Sequence, residues 1–246
     1  MKYKNITRLM QIAMAIEPIP NKKGLTTRYK DIGDNLKLEY FIIGSINSGF
    51  VIEELMNRKS GEVSYDLLFK STVQNQLHRG GLRVNAGQVQ FFWPILLVIR
   101  EYPSIKDFNL ILDKTEEIML NTCREDSIWL QATNNFSYSL WEHHLPRVKL
   151  IDLECDSVFE AYTIMYENSG SDNSTMFHCK EFLDGYPYIR KLYSNFDQEI
   201  PYSEGMSILY NWALNNIDGE LPKGQIADAL ACVTFLAMYI EDYKIR

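Results

Sequence analysis

The chain has 246 residues, of which 46% are hydrophobic and 13% aromatic, so it can build a sizeable core and is not a disordered chain. Its formal net charge of −7 argues against a general nucleic-acid-binding protein, which needs a broad basic surface, but leaves room for one anionic ligand in a local basic pocket. No uncharged run reaches the roughly 18 residues of a membrane span, so we expect a soluble, cytoplasmic protein with no membrane partner.

Apolar residues recur at spacings of three and four along almost the whole chain, which predicts helices. The first helix covers about 4–17 and ends before Pro18 and Pro20. Charged residues interrupt its apolar part, which favours an amphipathic helix over a signal peptide. A polar loop over 21–35 follows. The later helices are predicted at 36–56, 64–78, 88–101, 104–121, 126–134, 155–169, 172–184, 187–196, 203–217 and 224–243.

This pattern predicts an all-α fold: a single compact domain of about ten helices over residues 1–246. Ser64 and Ser104 are predicted to cap the helices that follow them. Strand-like alternation is weak and occurs only at 148–153. Within the second helix lie four small residues, which we attribute to the close approach of a neighbouring helix or a ligand: Gly44, Ser45, Ser48 and Gly49.

The cysteines are too widely spaced for a metal module. None of the four belongs to a CxxC pair, and their spacing fits no zinc site. We therefore expect reduced thiols in the core of a cytoplasmic protein. They are Cys123, Cys155, Cys179 and Cys232.

The most distinctive stretch is LHRGGLRVNAGQVQ, residues 77–90, which runs into a strongly apolar helix. A helix N-terminus presents unpaired N–H groups and the positive end of its dipole, and glycines let an anion approach closely. The stretch is not a Walker A loop, because its glycines are one position too far apart and no lysine follows. It is either an anion-binding loop or a basic, solvated turn between two buried helices. Its glycines and basic residues are Gly80, Gly81, Gly87, His78, Arg79 and Arg83.

Three segments lie in an order and spacing typical of one enzyme family. Glu17, near the end of the first helix, is followed by Asn21-Lys22-Lys23-Gly24-Leu25, where the family has Pro-Lys-Pro-Gly-Asn or Pro-Lys-Pro-Gly-Leu. Residues 81–87 stand where it has Gly-x-Asn-Thr-His-x-Gly, with both glycines kept, Arg83 in place of asparagine and Asn85 in place of histidine. A Glu160-Ala161 pair and Asp172 follow. Over about 6–195 the chain resembles the triphosphoribosyl-dephospho-CoA synthase family.

The resemblance implies an all-α transferase that moves the triphosphoribosyl group of ATP to dephospho-CoA and releases adenine, with Mg²⁺ as the metal. Such chemistry needs cations and N–H groups around a triphosphate, carboxylates for Mg²⁺, and a group that deprotonates the attacking hydroxyl. It implies phosphate binding by Lys22, Gly24, Arg28, Arg79, Gly80, Gly81, Arg83, Asn85 and Gly87. It implies metal binding by Asp31 and Asp172, with Asp34 and Glu160 as further candidates. It implies catalysis by His78 and Asp172, with His178 as a second candidate for the base.

Departures from the family pattern keep other interpretations open. The central motif lacks its asparagine and histidine, the first loop lacks both prolines, and Pro222-Lys223-Gly224 is the candidate for a C-terminal basic-glycine signature. One alternative is a non-catalytic relative that binds a nucleotide or a partner protein. Another is a helical enzyme that acts on a different nucleotide-like, phosphorylated substrate.

Overall fold

A computed structural model describes residues 3–31, 37–77, 85–139, 154–169, 173–216 and 223–245. These residues form eleven α-helices and no strand, apart from one isolated bridge between Thr27 and Lys30. The predicted all-α fold is confirmed, and the segment 148–153 lies outside the described residues. The helices are α1 (Tyr3–Ile16), α2 (Leu38–Asn57), α3 (Tyr65–Leu77), α4 (Ala86–Glu101), α5 (Phe108–Leu120), α6 (Arg124–Ser139), α7 (Val158–Glu167), α8 (Asn173–Leu183), α9 (Pro187–Ser194), α10 (Tyr202–Asn216) and α11 (Lys223–Ile240).

Helix α3 begins directly after Ser64, as predicted, but the acceptor at its N-terminus comes from α6. Asp126 Oδ1 accepts from the backbone N of Ser64 at 2.7 Å and of Tyr65 at 2.9 Å, and from the Ser64 hydroxyl at 3.2 Å. Its other oxygen accepts from the backbone N of Cys123, just before α6, at 3.4 Å. One buried carboxylate therefore caps two helices.

The start of α5 differs from the prediction. Ser104 was expected to cap this helix, but α5 begins at Phe108 and Asp107 is the N-cap. The Asp107 side chain accepts from the backbone N of Leu110 at 2.8 Å. Residues before it form a turn, in which the N of Ile105 donates to the O of Tyr102 at 3.0 Å. The prediction was wrong because aspartate, an equally good cap, lies three residues further on.

Helices α4 and α11 occupy the centre of the protein. Nearly every residue of both is buried, and they pack against each other. Helix α11 also packs against α1, α9 and α10, whereas α4 packs against α5. Among the described residues, α11 alone is long and apolar enough by composition to cross a membrane, and 78% of it is buried inside the protein.

The small residues of α2 serve two neighbours: Gly49 lies against α1, whereas the Ser48 hydroxyl accepts from Asn75 Nδ2 of α3 at 3.1 Å. A Cβ added to Gly49 would stand 2.6 Å from Gln11 Cδ, which is closer than atoms can approach. Gln11 Nε2 donates to the backbone O of Ile46 at 3.2 Å, so the glutamine side chain crosses α2 at this point. Close packing of a neighbouring helix therefore accounts for Gly49.

Three of the four cysteines are in the core, as expected. Cys155, Cys179 and Cys232 are buried thiols. Cys123 is exposed, so its predicted burial was wrong. It lies at the N-terminus of α6, where the chain turns at the surface.

Candidate functional site

The end of α1 and the loop after it are joined by a buried ion pair. The Lys22 ammonium donates to both the backbone O and the Oε1 of Glu17. The two side chains keep only 1% and 4% of their exposure. A buried lysine must meet an opposite charge, because an unpaired charge is costly away from water. The predicted phosphate ligand Lys22 therefore has its charge matched by a carboxylate.

This pair continues into the first turn of α4. Gln88 Nε2 donates to Glu17 Oε2 at 3.3 Å, and Asn85 Nδ2 donates to Gln88 Oε1 at 2.7 Å. Asn85 is the N-cap of α4 and has φ of 67°, a left-handed conformation that asparagine tolerates. All four side chains are buried. The chain of bonds Lys22–Glu17–Gln88–Asn85, here called the buried polar chain, fixes the loop against α4.

Gly87, one of the two matched glycines in the central motif, lies where α4 meets α8 and α11. A Cβ at this position would stand 2.9 Å from Asp228 Cγ and 3.4 Å from His178 Nε2. It would overlap Asp228 Oδ2 outright. A side chain here would displace the Asp228 carboxylate and press against the imidazole of His178, both on half-buried residues.

Gly24, the glycine matched in the first loop, also faces α11. Its φ is +83°, and a Cβ would stand 2.9 Å from Lys223 Nζ. The hydroxyl of Tyr210, in α10, donates to the backbone O of Lys23 at 3.1 Å. Burial, with the charge of Glu17 as a second cause, raises the pKa of Tyr210 to about 12, so this donor keeps its proton. Helix α11 thus contacts both glycine segments, the one around Gly24 and the one around Gly87.

Arg28 and Asp31 lie on the exposed part of the first loop. The Arg28 guanidinium stands 4.6 Å from the centre of the Tyr29 ring. Asp31 Oδ1 accepts from the backbone N of Leu38 at 3.0 Å, at the start of α2. These contacts are local to the loop, and their predicted roles toward phosphate and Mg²⁺ stay predictions.

Several predicted residues fall outside the part of the chain that the structure describes. Within that part, no group of three or more His, Cys, Asp or Glu side chains is arranged to hold a metal ion. Glu160, a further metal candidate, accepts from the backbone N of Asp156 at 2.8 Å before α7, as a capping residue does. The residues outside the described part are His78, Arg79, Gly80, Gly81, Arg83, Asp34 and Asp172.

The imidazole of His178 is held in an aromatic cluster. Its ring lies 4.7 Å from that of Phe91 at an angle of 34°, and 6.1 and 6.3 Å from those of Phe177 and Phe182. The hydroxyl of Tyr186 donates to the backbone O of Phe91 at 3.0 Å. The cluster therefore fixes α8 and α9 to the N-terminal half of α4.

Glu181, three residues after His178, is a buried cap for α9. Its carboxylate accepts from the backbone N of Tyr188 at 2.8 Å and of Ile189 at 3.1 Å. Burial raises the pKa of Glu181 to about 8, although these two hydrogen bonds oppose the shift. Its role is to stabilise a helix N-terminus.

A cleft of about 290 Å³ lies elsewhere, between the loop before α3 and the junction of α5 with α6. Arg100, Cys123 and Asp126 are among its lining residues, and none of the predicted site residues that the structure describes is. Asp126 serves there as a double cap and Arg100 pairs with Glu101 at 2.8 Å. The cleft is separate from the glycine segments.

Sequence reasoning missed two residues of the site, Gln88 and Asp228. Gln88 is a buried amide in a helix that is otherwise apolar, and Asp228 is the single charge between Gln225 and Ile240. A polar residue within an apolar helix was the available signal in both cases. No protein-family model, curated protein or solved structure matches the chain. The family resemblance therefore depends on the residues and spacings of the sequence.

Proposed function

We propose that the protein binds a nucleoside triphosphate where the first loop, the first turn of α4 and the start of α11 meet. We propose further that it is a transferase of the triphosphoribosyl-dephospho-CoA synthase type. It would move the triphosphoribosyl group of ATP to dephospho-CoA and release adenine. One observation carries this proposal: Gly24 and Gly87, some sixty residues apart in sequence, both face α11, at Lys223 and Asp228.

Phosphate binding at this junction is supported by helix ends and one exposed cation. The first turn of α4 offers backbone N–H groups and the positive end of a helix dipole. Lys223 is exposed and its ammonium lies over Gly24, so it can reach an anion without leaving a buried partner. Lys22 would act indirectly, through the buried polar chain that holds the loop in place.

Magnesium fits this arrangement only as an ion held mainly by the substrate. Bound Mg²⁺ would offset the negative charge of the phosphates, and this ion usually needs just one or two protein carboxylates. The exposed Asp31 could provide one such carboxylate, with one oxygen already accepting from Leu38. Asp172, predicted for the same role, lies outside the described residues.

A second candidate function is nucleotide binding without turnover. Two predicted ligands are used within the protein: the Lys22 ammonium by Glu17 and the Asn85 amide by Gln88. A relative that kept its fold and lost its chemistry would make such internal bonds. A helical enzyme acting on another phosphorylated substrate would share the same phosphate contacts, and a nucleotide screen would reveal it.

The deciding experiment is incubation with ATP, Mg²⁺ and dephospho-CoA, with adenine followed by chromatography and the CoA product by mass spectrometry. Adenine together with a triphosphoribosylated product supports the transferase. Binding of ATP without adenine supports the second candidate, and absence of both refutes a nucleotide site.

A pair of variants tests the location of the site. Lys223→Met should weaken ATP binding about tenfold or more, because a hydrogen bond to a charged group contributes roughly 1.5–3 kcal/mol. Lys191→Met, on the exposed side of α9, is the matched control and should leave binding unchanged. Equal affinities of both variants and wild type would place the triphosphate elsewhere.

A further inference from the structure

Asp228 is a charged residue in an unusual place. In α11, every residue from Gln225 to Tyr239 is buried except Asp228, which is half-buried. It is also the only charged residue of this helix after Lys223. Keeping a carboxylate in a core helix costs desolvation free energy, and buried or half-buried charges are common where proteins do chemistry.

The carboxylate is brought against the backbone of α4. Asp228 Cγ and His178 Nε2 both lie within 3.4 Å of the point where a Cβ of Gly87 would stand. Three helices therefore converge on one small volume, with a carboxylate, an imidazole and a residue without a side chain. The absence of a side chain at Gly87 is what lets the carboxylate occupy this position.

The imidazole lies on the inner side of this group. Its contacts with Phe91, Phe177 and Phe182 hold the ring from the core, and its Nε2 is turned toward Gly87. An imidazole held in this way has little freedom to follow a substrate, and it shares with Asp228 the space beside Gly87. Asp228, in the second turn of α11 and against Gly87, is the better placed of the two to meet a ligand.

We propose that Asp228 accepts the proton of the attacking hydroxyl and that His178 is a positioning residue for Asp228. This inference rests on the proposed transferase function. In the step, the acceptor hydroxyl oxygen forms a bond to C1′ of the ATP ribose, and the bond from C1′ to N9 breaks with its electron pair going to adenine. The hydroxyl proton passes to Asp228 and then through water to the departing adenine. An aspartate has the same role toward the substrate hydroxyl in protein kinases.

Asp228→Asn tests the proton acceptor, since it keeps the size of the side chain. We expect adenine release to fall about 10²–10⁴-fold, the usual contribution of a general base, while the dissociation constant for ATP stays within about threefold. Asp113→Asn is the matched control, because Asp113 is an exposed carboxylate that pairs with Arg190 on the surface. In Asp228→Ala, added formate should restore part of the activity, which a purely structural role would not allow.

His178 is tested by two variants. His178→Phe preserves the aromatic packing and removes the nitrogen, whereas His178→Gln returns a nitrogen to the same side. In His178→Phe the Asp228 carboxylate should be displaced, so kcat should fall about 100-fold while KM stays nearly unchanged. His178→Gln should recover part of the lost kcat. Equal loss in both variants, or loss confined to KM, would overturn the positioning role.

The outcomes separate this inference from the proposed function. Adenine release by wild type and Asp228→Asn at similar rates would overturn the role of Asp228 and leave the transferase standing. No adenine from wild type would overturn both. If Asp228→Asn does not fold, Gly87→Ala provides the second variant, because its methyl group must displace the same carboxylate without changing any charge. Full activity in Gly87→Ala would overturn the inference.

Discussion

The ion pair between Glu17 and Lys22 gives the sharpest prediction about stability. Lys22→Met keeps the length of the side chain and removes the ammonium, which leaves a carboxylate with 4% exposure to which, among the described side chains, only Gln88 still donates. Removing one partner of a buried pair costs about 3–5 kcal/mol. We therefore expect the free energy of unfolding to fall by that amount, a large part of the roughly 5–15 kcal/mol that holds a typical domain.

The assay is urea unfolding followed by circular dichroism, and the chain provides its own control. Lys23 is the next residue, carries the same charge and is exposed, so Lys23→Met should change stability by less than about 0.5 kcal/mol. The double variant, Glu17→Gln with Lys22→Met, no longer contains the buried carboxylate that has lost its ion-pair partner. Its cost should be smaller than the sum of the two single costs by at least about 1 kcal/mol.

One result would refute this reasoning. If Lys22→Met costs less than about 1 kcal/mol, the ammonium is not a buried partner of Glu17. Lys22 would then be available to a phosphate, and the variant should weaken ATP binding directly. A large loss of stability together with near-normal ATP affinity at low temperature would instead assign Lys22 to the framework of the site.

Three further changes are predicted from contacts away from the glycine segments. Asp126→Ala removes the acceptor shared by α3 and α6 and should cost about 2–4 kcal/mol in urea unfolding, since two caps and buried N–H groups lose their partner. Gly49→Ala must displace the Gln11 amide and its hydrogen bond to Ile46, a loss that the better helix propensity of alanine offsets by up to about 1 kcal/mol, so the net cost should stay below about 1 kcal/mol and Gln11→Ala in the same chain should relieve it. Because burial raises the pKa of Glu181 from 4.5 to about 8, the folded protein holds a proton that the unfolded chain releases, so stability is full below pH 4.5 and is lost as the pH rises toward 8. Glu181→Gln should flatten this dependence by up to about 1.4 kcal/mol per pH unit, measured by urea unfolding between pH 5 and 8.

Each of these predictions has a contrary outcome. A loss below about 0.5 kcal/mol for Asp126→Ala would mean that solvent replaces its hydrogen bonds. Additive costs of Gly49→Ala and Gln11→Ala would show that the two residues are not in contact. Identical pH profiles for wild type and Glu181→Gln would show that Glu181 releases its proton in the folded state as easily as in the unfolded chain.

The helices could be predicted from the sequence because their signal is local. Apolar spacing places α4 and α11 within three residues of where they lie, since each buried face repeats within the helix itself. A cap that comes from a distant residue cannot be recognised in the local sequence, and Asp126 caps α3 from a position 62 residues away. The predicted cap at Ser104 failed for a local reason, a nearby aspartate of equal capping strength.

The candidate site could be predicted only in part. The glycine segments were visible as motifs, but their meeting on α11 is a tertiary contact, and Asp228 carries no motif of its own. Lys22 shows that the burial of a charged residue could not be predicted. A sequence shows that a residue is charged and not whether it is buried. The ammonium of Lys22, two residues before Gly24, is bound to Glu17, and its predicted role toward phosphate stays a prediction.

The packing of α11 against α1 has a consequence for synthesis on the ribosome. Helix α1 emerges long before α11, yet part of its surface packs against that helix, and α4 packs against the same helix. The nascent chain must therefore carry exposed apolar surface until α11 has left the exit tunnel, so late folding and dependence on chaperones are expected. Slowing translation early in the message should leave the yield of native protein unchanged, whereas a stall before codon 223 should increase aggregation or degradation.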